Sequence, residues 1–579
     1  MRLSRHLLFL FCTLLTTAIA EPIVVKDGLI KLRLKEMARA DRMPHSDPKE
    51  ITSTGVSFVE DLPASGAGEA WPGEKFSEAA LAQLYRLIEA SNEKEARDLI
   101  AQGFLSSELE AKDRVESLGQ KISLHSGTPG KAISLTPRKF IARLHGLGKL
   151  KIKVIGIENL TTRFHVEANR EGAEYSATWL CTWDDKLTPK LKKLEVEKFE
   201  TVRAKERWFI DATSSAIGTN PRFEAQVMRG IGYWSERITR IGDLAMTGHH
   251  GIAVGDVNGD GLEDLYVCDG GSLPNQLYLQ QADGSAREVA SQWGVAWLED
   301  SRSALLVDLD NDGDQDLVVA TIAMIAFAEN TGRGKFKLMG GFQGAPYPFS
   351  LSAADFDSDG DLDIYTCVYS AGDDSVSGKR GFEATSPIPF NDAENGGRNV
   401  LLANLGDFQF GEITKEVGLE QNNTRWSFAA SWEDFDRDGD PDLYVANDFG
   451  RNCLYRNDEG RFVDIAADTG AEDMAAGMSV SWGDFNRDGG ADLLVGNMFS
   501  SAGQRVAFQR QLGEGKKRMA RGNSLFAAKE GAFEDVSMAS GITNGGWAWS
   551  SAFADLNNDG WQDLVVANGY LSNTRDDDL

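Results

Sequence analysis

Between Asp256 and Asp563 one nine-residue pattern, Asp-x-Asp/Asn-x-Asp-Gly-x-x-Asp, occurs six times. Oxygen-bearing side chains at positions 1, 3, 5 and 9 let a tight loop wrap a hard cation, and calcium takes about six to eight oxygens at roughly 2.3–2.6 Å. The first copy offers Asp256, Asn258, Asp260 and Asp264; the second Asp308, Asp310, Asp312 and Asp316; the third Asp355, Asp357, Asp359 and Asp363. The fourth offers Asp434, Asp436, Asp438 and Asp442; the fifth Asp484, Asn486, Asp488 and Asp492; the sixth Asp555, Asn557, Asp559 and Asp563. Position 7 would add a backbone carbonyl, from Leu262, Asp314, Asp361, Asp440, Gly490 and Trp561. Position 6 is glycine throughout, where a sharp turn needs a positive φ without a Cβ clash. The expected cofactor is Ca2+, up to six ions.

An EF-hand shares the first five ligand positions but needs a bidentate Glu at about position 12 and helices on both sides. Here position 12 is Val267, Val319, Thr366, Val445, Val495 and Val566. Each loop closes instead at its ninth residue and runs into a β-branched or aromatic stretch such as Leu265-Tyr-Val267, which reads as a strand. A cation clamped between two strands of one sheet pins a turn and leaves no open coordination position, so the expected role of calcium is structural.

These loops need a repeating scaffold. Their first residues are separated by 52, 47, 79, 50 and 71 positions, a period near 50 with two insertions, at about Ser370 to Arg398 and Ser500 to Arg521. Each repeat holds four short strands divided by polar turns, the pattern of a propeller blade. The residue two before each loop is apolar or small (Val254, Leu306, Ala353, Trp432, Trp482, Phe553), and the tryptophans among them are expected to pack between repeats. The expected fold is mainly β: a β-propeller with six calcium-loop repeats and six blades, seven being the alternative, preceded by a smaller α+β domain. With no room for outer strands after Leu571, residues from about Ser235 to Leu244 are expected to close the ring.

The six loops, and the closing Trp547-Ala-Trp549-Ser-Ser-Ala-Phe553-Ala-Asp-Leu-Asn-Asn-Asp-Gly-Trp561-Gln-Asp563-Leu-Val-Val-Ala-Asn-Gly569, resemble FG-GAP or VCBS-type calcium-loop repeats. Such repeats occur in integrin α propellers and, more similarly, in bacterial secreted proteins related to cartilage acidic protein. The resemblance covers about residues 246 to 571. Gly-Ala-Pro appears once, at Gly344 to Pro346, and the Phe-Gly element is not kept repeat by repeat; the likeness lies in the calcium loops. It implies a calcium-stabilised propeller used for binding, often in cell-surface or matrix settings.

The 579 residues carry a formal charge of −28. Six Ca2+ would leave −16, which argues against nucleic acid or an anionic membrane as partner. Met1 to Ala20 reads as a cleaved signal peptide, and no later stretch is long and apolar enough to span a bilayer; secreted, periplasmic or cell-surface placement follows. Mature cysteines at 181, 268, 367 and 453 are too few and scattered for a disulfide framework. The expected domains are a signal at 1–20, an extended lead-in at 21–74, an α+β domain at 75–217 arranged like an NTF2 or SnoaL cone, a connector and ring-closing strand at 218–245, the propeller at 246–571 and an acidic tail at 572–579. Helices are expected from Phe76 to Ile88, Glu95 to Ala101 and Pro137 to Leu147. Strands are expected at Leu150–Ile157, Thr162–Ala168, Ala173–Trp183 and Leu191–Val202, leading into Trp208 to Asp211.

Catalytic candidates are scarce. No histidine follows His250, so later repeats cannot host a Ser-His-Asp relay or a histidine-bound metal; His145 and His165 lack an obvious acid partner and read as structural. Two functions remain open: a secreted binding module for an extracellular protein or polysaccharide, or a hydrolase or lyase acting on exported polysaccharide with the repeats as scaffold. A buried acid, Tyr or His with a strongly shifted pKa in a wide cleft would favour the second. The second insertion carries Arg505, Arg510, Lys516, Lys517, Arg518 and Arg521, a basic cluster suited to an anionic polysaccharide or to an acidic loop of the same chain.

Overall fold

The computed structural model describes residues 73–569 with internal breaks, the longest within 230–250, 371–391 and 501–516. The expected signal peptide, the lead-in, the ring-closing strand, His249, His250 and the acidic tail lie wholly or almost wholly outside the described residues.

Helix Glu74–Glu89 buries Phe76, Ala80, Leu84 and Leu87, spaced three or four apart so that one stripe faces inward. Thr136 caps helix Pro137–His145, its hydroxyl accepting from the Lys139 N–H, and Phe140, Ile141 and Leu144 enter the same core. That core covers an eight-stranded sheet whose main path runs Arg114–Leu118, Ile122–Gly127, Leu191–Ala204, Ala173–Trp183, Thr161–Arg170, Lys149–Glu158. Ile100–Ser106 joins it parallel to Leu191–Ala204, and Ile133–Ser134 pairs with Ile100–Ser106. Alternate residues of Thr161–Arg170 point inward, as a half-buried strand requires.

Two local expectations change, and one group of strands is new. The helix expected over Glu95 to Ala101 spans only Glu93–Arg97, because Asn92 caps it early and the Leu191 N–H binds the Leu99 carbonyl at 3.0 Å, drawing the following residues into the sheet. Phe209 to Asp211 form no strand, and Phe209 and Ile210 are exposed. The short strands between Ile100 and Ser134 were not legible, since several of them alternate weakly and carry glycine or charge.

Beyond residue 250 come five four-stranded antiparallel sheets and a final hairpin. The first sheet is Ile252–Gly255, Asp264–Val267, Gln276–Gln280 and Ala286–Glu288; the fourth is Ser427–Glu433, Asp442–Asn447, Cys453–Asn457 and Phe462–Asp464. The first strands of successive sheets pack side by side in chain order, ending with Ala548–Ala554 of the hairpin. In the second to fifth sheets the second strand is buried at every residue, as in Asp316–Thr321 and Asp492–Asn497, because neighbouring sheets cover both its faces. The matching hairpin strand, Asp563–Asn568, is mostly half-buried and has no third strand beside it among the described residues. Trp432 packs on Tyr365 of the preceding sheet and Trp482 on Tyr444 in the same way, both edge-on.

Connectivity places everything else. In an up-and-down sheet the first and third turns share one end; the second turn and the link to the next sheet share the other. The acidic loops occupy the first turn of every repeat. The second turns of the third and fifth sheets, which the strands Asp363–Val368 and Val400–Asn404 and the strands Asp492–Asn497 and Ser524–Lys529 flank, open at the opposite end. The eight-stranded sheet meets that end too, where His165 contacts Asn544 at 2.8 Å in the link ahead of the hairpin. Cys181, Cys268, Cys367 and Cys453 are buried and unpaired.

Candidate metal centres

All six loops adopt one backbone shape. The position-6 glycines have φ between 81° and 102°, and the N–H of each donates to the first aspartate, as Gly261 to Asp256 at 2.7 Å and Gly439 to Asp434 at 3.1 Å. Position 4 is left-handed as well: Gly259, Asn311, Ser358, Arg437, Arg487 and Asn558 have φ of 56° to 70°. For arginine this costs on the order of 1 kcal/mol, so the surrounding loop must enforce it. The position-5 carboxylate accepts from the position-7 N–H, as Asp312 from Asp314 at 2.9 Å and Asp559 from Trp561 at 2.9 Å. At position 7 the side chains of Asp361 and Asp440 turn to Asn311 and to the Glu459 N–H, leaving the main-chain carbonyl as the group this position offers the loop.

Three loops gather carboxylate oxygens within 4.8 Å of one another: Asp308, Asp310 and Asp316; Asp355, Asp357 and Asp359; Asp434, Asp436 and Asp442. Each group could hold a metal ion. Asp312, Asp363 and Asp438 stand outside these triads with oxygens turned to backbone N–H groups. In the first, fifth and sixth loops Asn258, Asn486 and Asn557 put an amide oxygen at position 3 and accept from the position-5 N–H at 2.8–2.9 Å. The fit to a hard cation shows in Asp308 and Asp434, each with a buried Oδ1 that has no hydrogen-bond partner. An orphaned buried carboxylate oxygen is costly; an all-oxygen donor set around it suits calcium rather than zinc or copper.

The closing aspartates also tie the strands together. Asp264, Asp316, Asp363, Asp442 and Asp492 are almost fully buried. One oxygen accepts the N–H of loop position 2 and the other the N–H of a third-strand residue: for Asp316, Leu309 at 2.9 Å and Asn330 at 2.8 Å; for Asp442, Phe435 at 3.2 Å and Asn457 at 2.8 Å. Asn330, Asn404 and Asn457 then donate their amide N–H to the position-2 carbonyl of the preceding loop, Val257, Leu309 and Phe356, at 2.8–2.9 Å. Neighbouring loops also touch directly. Asn311 donates to Asp361 at 2.7 Å, Arg487 lies 4.8 Å from the Trp561 ring centre, and the Asp484 N–H donates to Gln562 at 2.9 Å. Hydrogen bonds thus connect the first four loops in series, and the fifth to the sixth, a feature invisible in the motif itself.

Burial, reinforced by neighbouring carboxylates, pushes Asp264 up to about 6 and Asp316, Asp363 and Asp442 up to about 7. In the metal-free protein a folded-state pKa above the unfolded value means stability that is present at low pH and lost as pH rises through about 6 to 7. A divalent cation displaces these protons and reverses the dependence. The thermal gain from calcium should therefore be larger at pH 8 than at pH 5.5, measured by melts with and without chelator. An equal gain at both would exclude these aspartates from metal binding.

Away from the loops, the His145 ring bonds the Ile88 carbonyl at 2.8 Å, and His165 does have an acid partner, Glu167 at 3.1 Å, two residues on and on the same strand face. That partnership holds the Glu167 carboxylate down at about 2. Asp448 is buried beside the Tyr369 hydroxyl at 2.5 Å, and burial lifts it to about 7. Trp426 and Phe428 stack edge-on against Tyr369, so this acid sits in an aromatic wall. Of the basic cluster, Arg518 meets Asp473 at 2.7 Å and Arg521 meets Asp535 at 2.9 Å, pairing within the chain; Arg505, Arg510 and Lys516 lie outside the described residues. Among the described residues no helix is long and apolar enough to cross a membrane.

A family model described as FG-GAP-like repeat matches residues 256–319, 308–366, 434–495 and 513–566, together spanning all six loops. Cartilage acidic protein 1 of Xenopus tropicalis is 28% identical over 148 residues, a stretch that is 24% of this chain and 23% of that protein. A lectin from Agrocybe aegerita, described as recognising non-reducing terminal N-acetylglucosamine, aligns over 65% of this chain and 79% of its own with a TM-score of 0.29 and 13% identity. The Photorhabdus luminescens Tc holotoxin pore aligns over 65% of this chain and 15% of its own with a TM-score of 0.23 and 13% identity. At these scores neither structure carries an argument about this chain.

Proposed function

Because the chain carries FG-GAP-like repeats, we propose that it is an exported interaction module, a β-propeller whose acidic loops hold structural calcium and whose far end meets an extracellular protein or glycan. The ligand set in each loop is the one read from the motif: the side chains of positions 1, 3, 5 and 9 and the carbonyl of position 7. The proposed domains are those read from the sequence, with the ring closed by the segment before residue 246. The observation that carries this reading is the buried, partnerless Oδ1 of Asp308 and of Asp434 within carboxylate triads. A divalent ion bound in each of the two loops satisfies the atom there.

Calcium in these loops has no catalytic assignment. In the first five loops position 9 already accepts two backbone N–H groups, and the loops sit at the end away from the second turns of the sheets. The test is metal content. Protein dialysed against calcium and then buffer should retain several equivalents by elemental analysis, while protein with Asp308, Asp355 and Asp434 changed to Asn should lose about half of them. Retention of less than about one equivalent by the unmodified protein would end this reading.

A further inference from the structure

At the end of the sheets opposite the acidic loops, the links on either side of the fourth sheet and its second turn surround a cavity of about 220 Å3. Its lining is polar: Arg425 and Arg451, the carboxylates Glu394 and Glu472, and the amides Gln421 and Asn422. Arg425 is its fixed centre. Its side chain is 4% exposed; it donates to the Arg451 carbonyl at 3.0 Å and to Asn422 Oδ1 at 3.2 Å, yet its buried Nε has no partner. Asp392 grips Arg451 through two bonds, at 2.6 and 3.2 Å, and reaches Arg425 at 3.4 Å. This ion triad fixes both guanidinium planes before any ligand arrives, so little ordering is left to be done on binding.

The charge pattern selects the ligand. The two guanidiniums are outnumbered by Asp392, Glu394, Asp464 and Glu472, so an anion is repelled. A small cation is poorly served as well, because Asp392 is committed to arginine and Asp464 accepts from Asn422 at 2.7 Å. What remains is a lining of guanidinium, carboxylate and amide groups that donate or accept in fixed directions, which suits neighbouring hydroxyls that donate and accept at once. The volume lies below the roughly 300–1,000 Å3 of pockets for drug-sized ligands, leaving room for one small unit. We propose that this cavity binds a neutral, hydroxyl-rich ligand of about one sugar ring, free or at the end of a glycan. The proposal rests on the reading of the repeats as an interaction module and names the chemistry of its partner.

Calorimetric titration of the full, calcium-loaded chain tests it, with the methyl glycosides of glucose, galactose, mannose and xylose, and separately with dextran, galactan, mannan and xylan. Saturable binding of at least one glycoside is expected, weakened about 10-fold or more in Glu472→Gln and in Arg451→Met. Binding of a polymer alone, with the same loss in both variants, would assign the site to glycan ends. Glu472 lies on the rim, so its variant keeps the test valid if Arg451→Met fails to fold. No binding by any saccharide, binding of inorganic phosphate instead, or affinity indifferent to both changes would overturn the proposal. A calcium-dependent melt in the same sample separates the two failures: without it the interaction-module reading falls, and with it only the cavity assignment does.

Discussion

Removing calcium should lower the melting midpoint of the repeat region by roughly 10 °C or more while the transition of the eight-stranded sheet moves little. The size follows from linkage. A site filled at about 100 times its dissociation constant stabilises the fold by roughly 2.7 kcal/mol. The three carboxylate triads alone then contribute about 8 kcal/mol, and at an unfolding entropy of about 2.1 cal/mol/K per residue each kcal/mol moves the midpoint of a unit of about 320 residues by about 1.5 °C. Removal also leaves like charges facing one another around Asp308, Asp355 and Asp434, so the metal-free loops are repelled as well as unfilled. The eight-stranded sheet is held instead by an apolar core around Trp179, Trp183, Phe164 and Leu84, which an ion does not touch. Differential scanning calorimetry with excess calcium and with chelator measures both transitions. A chelator that shifts neither, or shifts both alike, would separate the loops from stability.

The loops were legible because calcium chemistry fixes residue type and spacing within nine positions. Gly313 and Gly439 could be foreseen at positive φ from the motif alone, and their angles of 94° and 102° agree. Position 4 could not. Asn311 is a familiar left-handed residue, but Arg437 and Arg487 are not, and only the surrounding loop compels them. The β architecture was legible for a similar reason, since second strands such as Leu317-Val-Val-Ala320 are apolar without alternation and buried on both faces. The strands of the leading sheet between Ile100 and Ser134 are hard to read because they alternate weakly and carry glycine or charge, and Ile100–Ser106 and Ile122–Gly127 also pair with the distant Leu191–Ala204. His165 and Glu167 show the opposite error: an acid partner two residues away in a strand is close enough to read, yet it was passed over for want of a catalytic pattern.

The asparagine links lay furthest from sequence reasoning, and they carry the second large expectation. Asn330 and Asn457 follow their closing aspartates by 14 and 15 positions, whereas Asn404 follows Asp363 by 41, across the first insertion. No fixed spacing betrays them. Each bonds its own loop through the main-chain N–H and the preceding loop through the side-chain amide. Asn457→Leu therefore removes no metal ligand. It strips Phe356 of the donor to its carbonyl and the Gly460 N–H of its acceptor. Leaving such buried groups unpaired costs about 1–3 kcal/mol. Part of that loss should surface as weaker calcium binding in the third loop, whose Asp355, Asp357 and Asp359 are untouched. A double-mutant cycle separates this coupling from general destabilisation. Asp357→Asn and Asn457→Leu, alone and together, should give calcium-dependent melting shifts that fail to add by about 0.5–3 kcal/mol, whereas independent sites add within about 0.3–0.5 kcal/mol. Additive shifts would mean that the loops fill independently. Non-additive ones would make the acidic band a single cooperative clamp, with the far end of the sheets held in register by ions bound at the near one.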